Sequence, residues 1–154
     1  MRVDERELMK ETLVGLFTEV AMIEHLARTR LEAVSPGGLN SLQFGLVNYF
    51  VRNHQGPDTI AGIAFSFQEE EPYTARKVAE LEALGMLIVT PPGSQRRDAQ
   101  VDVTKLGRET LDAHLEAQAP EFLALVSEIP FADLEVTFKT LRNIRLTLDN
   151  LPGR

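Results

Sequence analysis

Two pairs of cations stand out by type and spacing. Arg76 and Lys77 fall near the start of the segment Pro72 to Gly85, and Arg96 and Arg97 fall within PPGSQRRDAQ, a run built from turn-forming and polar residues. A guanidinium addresses a guanine edge through two parallel hydrogen bonds, or a phosphate through one, and the hydroxyls of Tyr73 and Thr74 beside Arg76 suit phosphate oxygens. Lys77, one step further round, suits the backbone, and Arg96 and Arg97 on an exposed loop suit the minor groove or phosphates. The chemistry on offer is recognition of a polyanion. Against it stands a solvated face in which Arg76 and Lys77 pair with Glu80, four residues on from Arg76, and in which one wing arginine holds its loop to the domain.

Catalytic arrangements are absent from the sequence. His25 follows Glu24, His54 lies four residues before Asp58 and His114 stands two before Glu116, yet no two histidines share a spacing such as H-E-x-x-H. The serines lack the G-x-S-x-G context, and Ser35-Pro36-Gly37-Gly38 lacks the lysine of a phosphate-binding loop. Glu69, Glu70 and Glu71 have no supporting ligands at metal-binding spacing; three carboxylates there complement the positive end of a helix and repel phosphate. No catalytic residue, metal site or cofactor is expected, and the chain reads as a non-enzyme.

The cations must be positioned by the stretch from about residue 57 to 104. In PYTARKVAELEALG, Val78, Leu81 and Leu84 recur at helical spacing between polar residues. Pro72 suits the first helical position and Gly85 the left-handed residue past the end. Met86 to Val89 form a short β-prone run, and Val101 and Val103 alternate with polar residues as a returning strand does, so Arg96 and Arg97 come near a hairpin tip. Asp58 is placed to cap a preceding helix over about residues 59–67. Two helices followed by a hairpin make a winged helix-turn-helix.

These residues carry a resemblance. LEALG at Leu81 to Gly85, the run Met86 to Val89, and QRRDAQVDVTKLG at Gln95 to Gly107 resemble the MarR family of bacterial transcription regulators, whose wing reads D-x-R, alternating apolar residues, then L-T-x-x-G. The chain differs at Gln95, where the family carries an acid, and at Glu69 to Glu71, where the family's turn is small and polar. The resemblance implies a homodimer on a pseudo-palindromic operator, with Tyr73, Thr74, Arg76, Lys77, Arg96 and Arg97 as DNA-binding residues. It also implies a small anionic or aromatic ligand settling between the dimer helices and the winged region, where Phe44, Arg28 and Arg30 face such a crevice.

Composition sets the outer bounds. The chain has 154 residues, 44% hydrophobic and 25% charged, with no cysteine and a net charge of −7. That is a soluble globular composition without disulfides or redox-sensing thiols, and the N-terminus, MRVDERELMKE, has no signal-peptide pattern, so a cytoplasmic location with no membrane contact is expected. The acidic balance argues against indiscriminate nucleic-acid binding. Within residues 58–108 six cations face eight anions, so a DNA-reading face depends on the acids pointing elsewhere.

From about Asp4 to Val34 the apolar residues Met9, Leu13, Leu16, Val20, Ile23, Ala27, Leu31 and Val34 recur at spacings of three and four. This predicts a helix of about 30 residues, roughly 45 Å long, whose stripe is too long for its own domain to cover. Its cover is a second copy, or else an intramolecular hairpin with the C-terminal helix. Ser35 to Gly38 break it, and Asn40 or Ser41 caps a helix carrying Leu42, Phe44, Leu46, Val47, Phe50 and Val51. That helix ends at His54-Gln55-Gly56-Pro57. After the wing, Thr104 caps a helix that Pro120 bends or interrupts, and a final helix begins near Pro130. Strand outside the wing is expected at most as a bridge before Ser41.

The expected architecture is mainly α with a small β-wing: one MarR-like domain over residues 1–154, the winged helix-turn-helix at 40–104 and dimerisation helices at 1–34 and 105–154. The expected function is a homodimeric DNA-binding regulator open to control by a small-molecule ligand. The alternative is a dimeric protein-interaction module of the same fold whose acidic turn has abandoned strong DNA binding.

Overall fold

In a computed structural model, which describes residues 3–34, 39–54 and 56–152, the chain runs α1 (Val3–Val34), α2 (Ser41–Asn48), a π-helical turn (Tyr49–Asn53), β1 (Asp58–Thr59), α3 (Ile60–Phe67), α4 (Glu71–Ala83), β2 (Leu87–Thr90), β3 (Gln100–Val103), α5 (Lys105–Leu125) and α6 (Phe131–Asp149). The predicted break at Ser35 to Gly38, residue Gln55, and the side chains of Leu31 and Val34 lie outside the described residues. The chain divides into two compact units, residues 1–118 and 119–154.

The first unit holds the core. Leu46, Val47 and Phe50 meet Ile60 and Ile63 of α3, Val78 and Leu81 of α4, Leu87, Val89, Val101 and Val103 of the sheet, and Leu111 of α5. Each such side chain contributes about 1.5–3 kcal/mol on leaving water, so α4 is held by the same apolar contacts that hold the sheet. The periodicity of Val78 and Leu81 marks that buried face. At the far end of α4 the amide of Met86 donates to Leu81 O and that of Gly85 to Glu82 O, both at 2.9 Å, with Gly85 at φ +73°. This is the paired closure that a left-handed glycine makes possible, and it turns the chain sharply into β2.

The sheet is antiparallel in the order β1-β3-β2, with Leu87 opposite Val103 and Thr90 opposite Gln100. Leu87, Val89, Val101 and Val103 point inward while Ile88 and Thr90 point out, the alternation expected of a half-buried hairpin. Among the described residues, strand outside the hairpin sits at Asp58–Thr59, paired to β3, and not at 39–40 before Ser41. Asp58 therefore does not cap α3. Thr59 does, its Oγ1 accepting from Gly62 N at 2.9 Å, while the Asp58 carboxylate accepts from Thr59 N and from the Tyr49 hydroxyl, each at 2.7 Å. Burial pushes the Tyr49 phenol upward, and the neighbouring Asp58 adds to that against the opposing hydrogen bond from Ser66.

The T-K-L-G segment after β3 has a local reason. Thr104 Oγ1 accepts from Gly107 N at 3.0 Å and donates to Gly85 O at 2.7 Å, so one hydroxyl starts α5 and ties it to the end of α4. A Cβ on Gly107 would run into the Met86 carbonyl and lie 2.8 Å from Val103 Cγ2, so backbone occupies the space a side chain needs. Asn40 caps α2 through a reciprocal pair with Gln43. At Pro120, where a bend or an interruption is expected, α5 is not interrupted and runs on to Leu125. The proline lacks one donor, but the turns on either side keep their own bonds.

The terminal helices are the exception to burial. Along α1, Leu8, Val14, Ile23 and Leu26 are each more than 60% exposed. In the second unit α6 buries no residue, and Phe131, Val136 and Phe138 are likewise open. No helix among the described residues is long and apolar enough to cross a membrane.

His114 of α5 supplies a pH handle on the first unit. Its ring is buried, 5.6 Å between centroids from Phe44, and burial holds its pKa below the ordinary value of 6.5. Between the folded and ordinary values the unfolded chain takes a proton that the folded chain refuses. Stability from this group is therefore full above pH 6.5 and declines as pH falls through that value until the folded ring itself protonates. Urea midpoints measured on either side of that window should fall with acid by less in His114→Gln than in the wild type; an equal fall would show the ring to be uninvolved.

Candidate nucleic-acid interface

The turn between α3 and α4 sets the direction of α4. Gln68 closes α3 in the left-handed region, φ 55° and ψ 45°, and Glu69 N returns to Ala64 O at 2.9 Å. Glu70 stands at the cap position and Pro72 is the second residue of α4, one later than its type suggests. Glu71 in the first turn complements the helix dipole.

The six expected contact residues divide by burial. Tyr73 and Arg76 are exposed on α4, and Arg96 and Arg97 are exposed on the wing loop. Arg76 has no carboxylate at ion-pair distance among the described residues. Its guanidinium lies 5.8 Å from the centre of the Tyr73 ring instead, so the pairing with Glu80 is not made. Thr74 and Lys77 are buried, which corrects the expectation that they meet phosphate. The Lys77 ammonium is 2.7 Å from Glu69 Oε1 and 2.6 Å from Oε2, Thr74 Oγ1 donates to Oε2 at 3.0 Å, and the aromatic faces of Phe67 and Tyr73 lie 5.0 and 5.1 Å from Lys77 Nζ. Two of the three ammonium donors are thereby turned to one carboxylate in the turn, and the two rings enclose the rest of the group.

The acidic turn is accordingly not three free charges beside α4. Glu69 is taken inward by Lys77 and Thr74, and Glu71 Oε1 lies 3.0 Å from Arg97 Nη2 of the wing. Arg96 holds Asp98 with two hydrogen bonds of 3.0 and 3.1 Å, which depresses the Asp98 carboxyl and raises the guanidinium. Between α4 and the wing runs a shallow cleft of about 400 Å³ lined by Glu71, Pro72, Ala75, Arg76 and Gln95. Arg76 is its cation.

Sequence reasoning missed Glu69 as an inward partner and Glu71 as a link to the wing. Both acids join residues that only the turn and hairpin bring near, so no local spacing announced them. The expected ligand crevice gains little definition: Phe44 packs against the core and His114, and Arg28 pairs with Glu24 on its own helix at 3.2 Å. Among the described residues no group of three or more histidines and acids is placed to hold a metal.

An exposed arginine on the second helix of a helix-turn-helix, beside a wing that carries two more, defines a winged helix-turn-helix. The fold is that of solved MarR family structures. A MarR family protein from Bacillus stearothermophilus superposes with a TM-score of 0.69 over 94% of this chain and 98% of its own, at 14% identity. The transcriptional regulator BldR from Sulfolobus solfataricus gives 0.61 over 96% and 99% at 18% identity. BpsR from Bordetella bronchiseptica, whose DNA binding is regulated by 6-hydroxynicotinic acid, gives 0.59 over 82% and 98% at 16% identity. No protein-family model and no curated protein matches the sequence.

Proposed function

We propose that the chain is a MarR-type, DNA-binding transcription regulator that works as a homodimer in the cytoplasm. The observation that carries this reading is Arg76: exposed, free of any carboxylate among the described residues, and fixed on the outer face of α4 by Val78 and Leu81 on the inner one. Tyr73 lies against its guanidinium, and Arg97 of the wing reaches Glu71 on the cleft's edge. In this reading Arg76 addresses a base edge in the major groove, Tyr73 a phosphate, and Arg96 and Arg97 the flanking backbone or minor groove. Thr74 and Lys77 act from inside by fixing the turn.

A second copy supplies the cover that α1 and α6 lack. An uncovered apolar stripe from Leu8 to Leu26 exceeds what a monomer ordinarily leaves in water. Control by a small anionic or aromatic ligand follows if the ligand favours a dimer with wrongly spaced reading helices. The test is selection of duplexes from a random library by the full chain, then a salt titration on the selected sequence. Two half-sites about one helical turn apart and affinity that falls steeply with salt are expected. Absence of binding at low salt would favour a protein-interaction role for this fold.

A further inference from the structure

Both wing arginines carry a carboxylate in the free chain, but the two carboxylates differ in origin. Asp98 is two residues from Arg96 on the same loop, whereas Glu71 belongs to the first turn of α4 and meets Arg97 across the cleft that Arg76 lines. The Arg97 and Glu71 side chains are 72% and 41% exposed. A pair so open to solvent biases an equilibrium by no more than about fivefold, so a well-placed phosphate can replace the carboxylate.

We propose that Glu71 attenuates binding at the DNA interface by occupying Arg97 in place of phosphate until α4 is fully docked. The inference rests on the DNA-binding reading above. On arbitrary DNA the duplex sits loosely, its phosphates take no fixed position against the wing, and Arg97 stays with the carboxylate held at 3.0 Å. On the correct sequence, base contacts from Arg76 hold a phosphate beside the wing long enough to take over the guanidinium. Glu71 thereby withholds one cation per subunit from sequence-independent binding, where phosphate contacts supply nearly all the affinity. Complementing the helix dipole alone needs no partner in the wing, and the reach of Arg97 to this acid is what the dipole leaves unexplained.

The test measures binding of the full chain to a random-sequence duplex and to a duplex selected by the wild type. Glu71→Gln is expected to bind the random duplex several-fold tighter, with a slope of log affinity against log salt steeper by about one per subunit. Its affinity for the selected duplex should rise by up to about fivefold per subunit with little change of salt slope, because the carboxylate held in the free chain no longer has to be displaced. Adding Glu71→Gln to Arg97→Ala should bring no such gain, and Glu80→Gln, which removes an exposed acid from the same helix, should leave both affinities unchanged within about twofold. An equal gain in the Arg97→Ala background would overturn the inference, since any lost negative charge would then suffice. Unchanged binding by Glu71→Gln, with the selected duplex still lost in Arg76→Ala, would overturn it and leave the DNA reading standing. Failure of every variant to bind either duplex at low salt would overturn both.

Discussion

Arg76→Ala is expected to weaken binding to a selected duplex by about 1–3 kcal/mol per half-site, or roughly 5- to 150-fold for each reading helix engaged. The size of the effect follows from what the side chain lacks as much as from where it stands. It has no carboxylate to release before it can act, and it already lies against the Tyr73 ring, which limits the freedom lost on binding. The fold should be indifferent, because the residue is exposed and its removal opens no cavity; a change in unfolding free energy within about 0.5 kcal/mol is expected. Arg76→Lys separates charge from geometry, since an ammonium keeps the phosphate attraction but cannot form the two parallel bonds to guanine. Sequence preference should be lost in both variants, with the salt slope lowered only in the alanine variant. Wild-type affinity in Arg76→Ala would remove this residue from the interface and leave the DNA reading without its main support.

Glu69→Ala should produce the largest loss of stability, about 3 kcal/mol, by leaving the Lys77 ammonium enclosed without its counter-charge. The Lys77 side chain is 8% exposed and that of Glu69 20%, which puts the cost at the lower edge of what fully buried pairs show. Thr74 suffers less, because its hydroxyl can turn to a carbonyl in the preceding turn of its own helix. Replacing both charged partners with apolar residues of similar size, Glu69→Leu with Lys77→Met, should recover most of the loss, since neither charge then needs solvation. Chemical denaturation of the two variants checks both statements. A loss below about 0.5 kcal/mol in Glu69→Ala would mean that Lys77 swings out to water, and would return it to the set of residues able to meet phosphate.

The path of the chain through the reading region was legible because its signals are local. Val78 and Leu81 at helical spacing gave the buried face of α4, Gly85 its end, and the alternation of Val101 and Val103 the returning strand. The side on which Lys77 falls was not legible. It is three residues from Thr74 and four from Leu81, so it borders the apolar stripe, and only the carboxylate of Glu69 decides whether such a lysine faces in or out. That carboxylate arrives through the left-handed turn at Gln68, which polar composition does not announce. Asp58 was misassigned for a related reason. Thr59, next to it, serves equally well as a helix cap, and Asp58 is drawn away by a tyrosine nine residues earlier. Pro120 marks a missing donor, not an obligatory break, and the helix around it retains enough bonds to continue.

The open apolar stripe of α1 also bears on how the protein melts. With a second copy as its cover, unfolding separates two chains, and mass action ties the midpoint to the amount of protein in the tube. Dilution alone should lower the transition temperature, and two laboratories working at different concentrations would obtain different values from identical material.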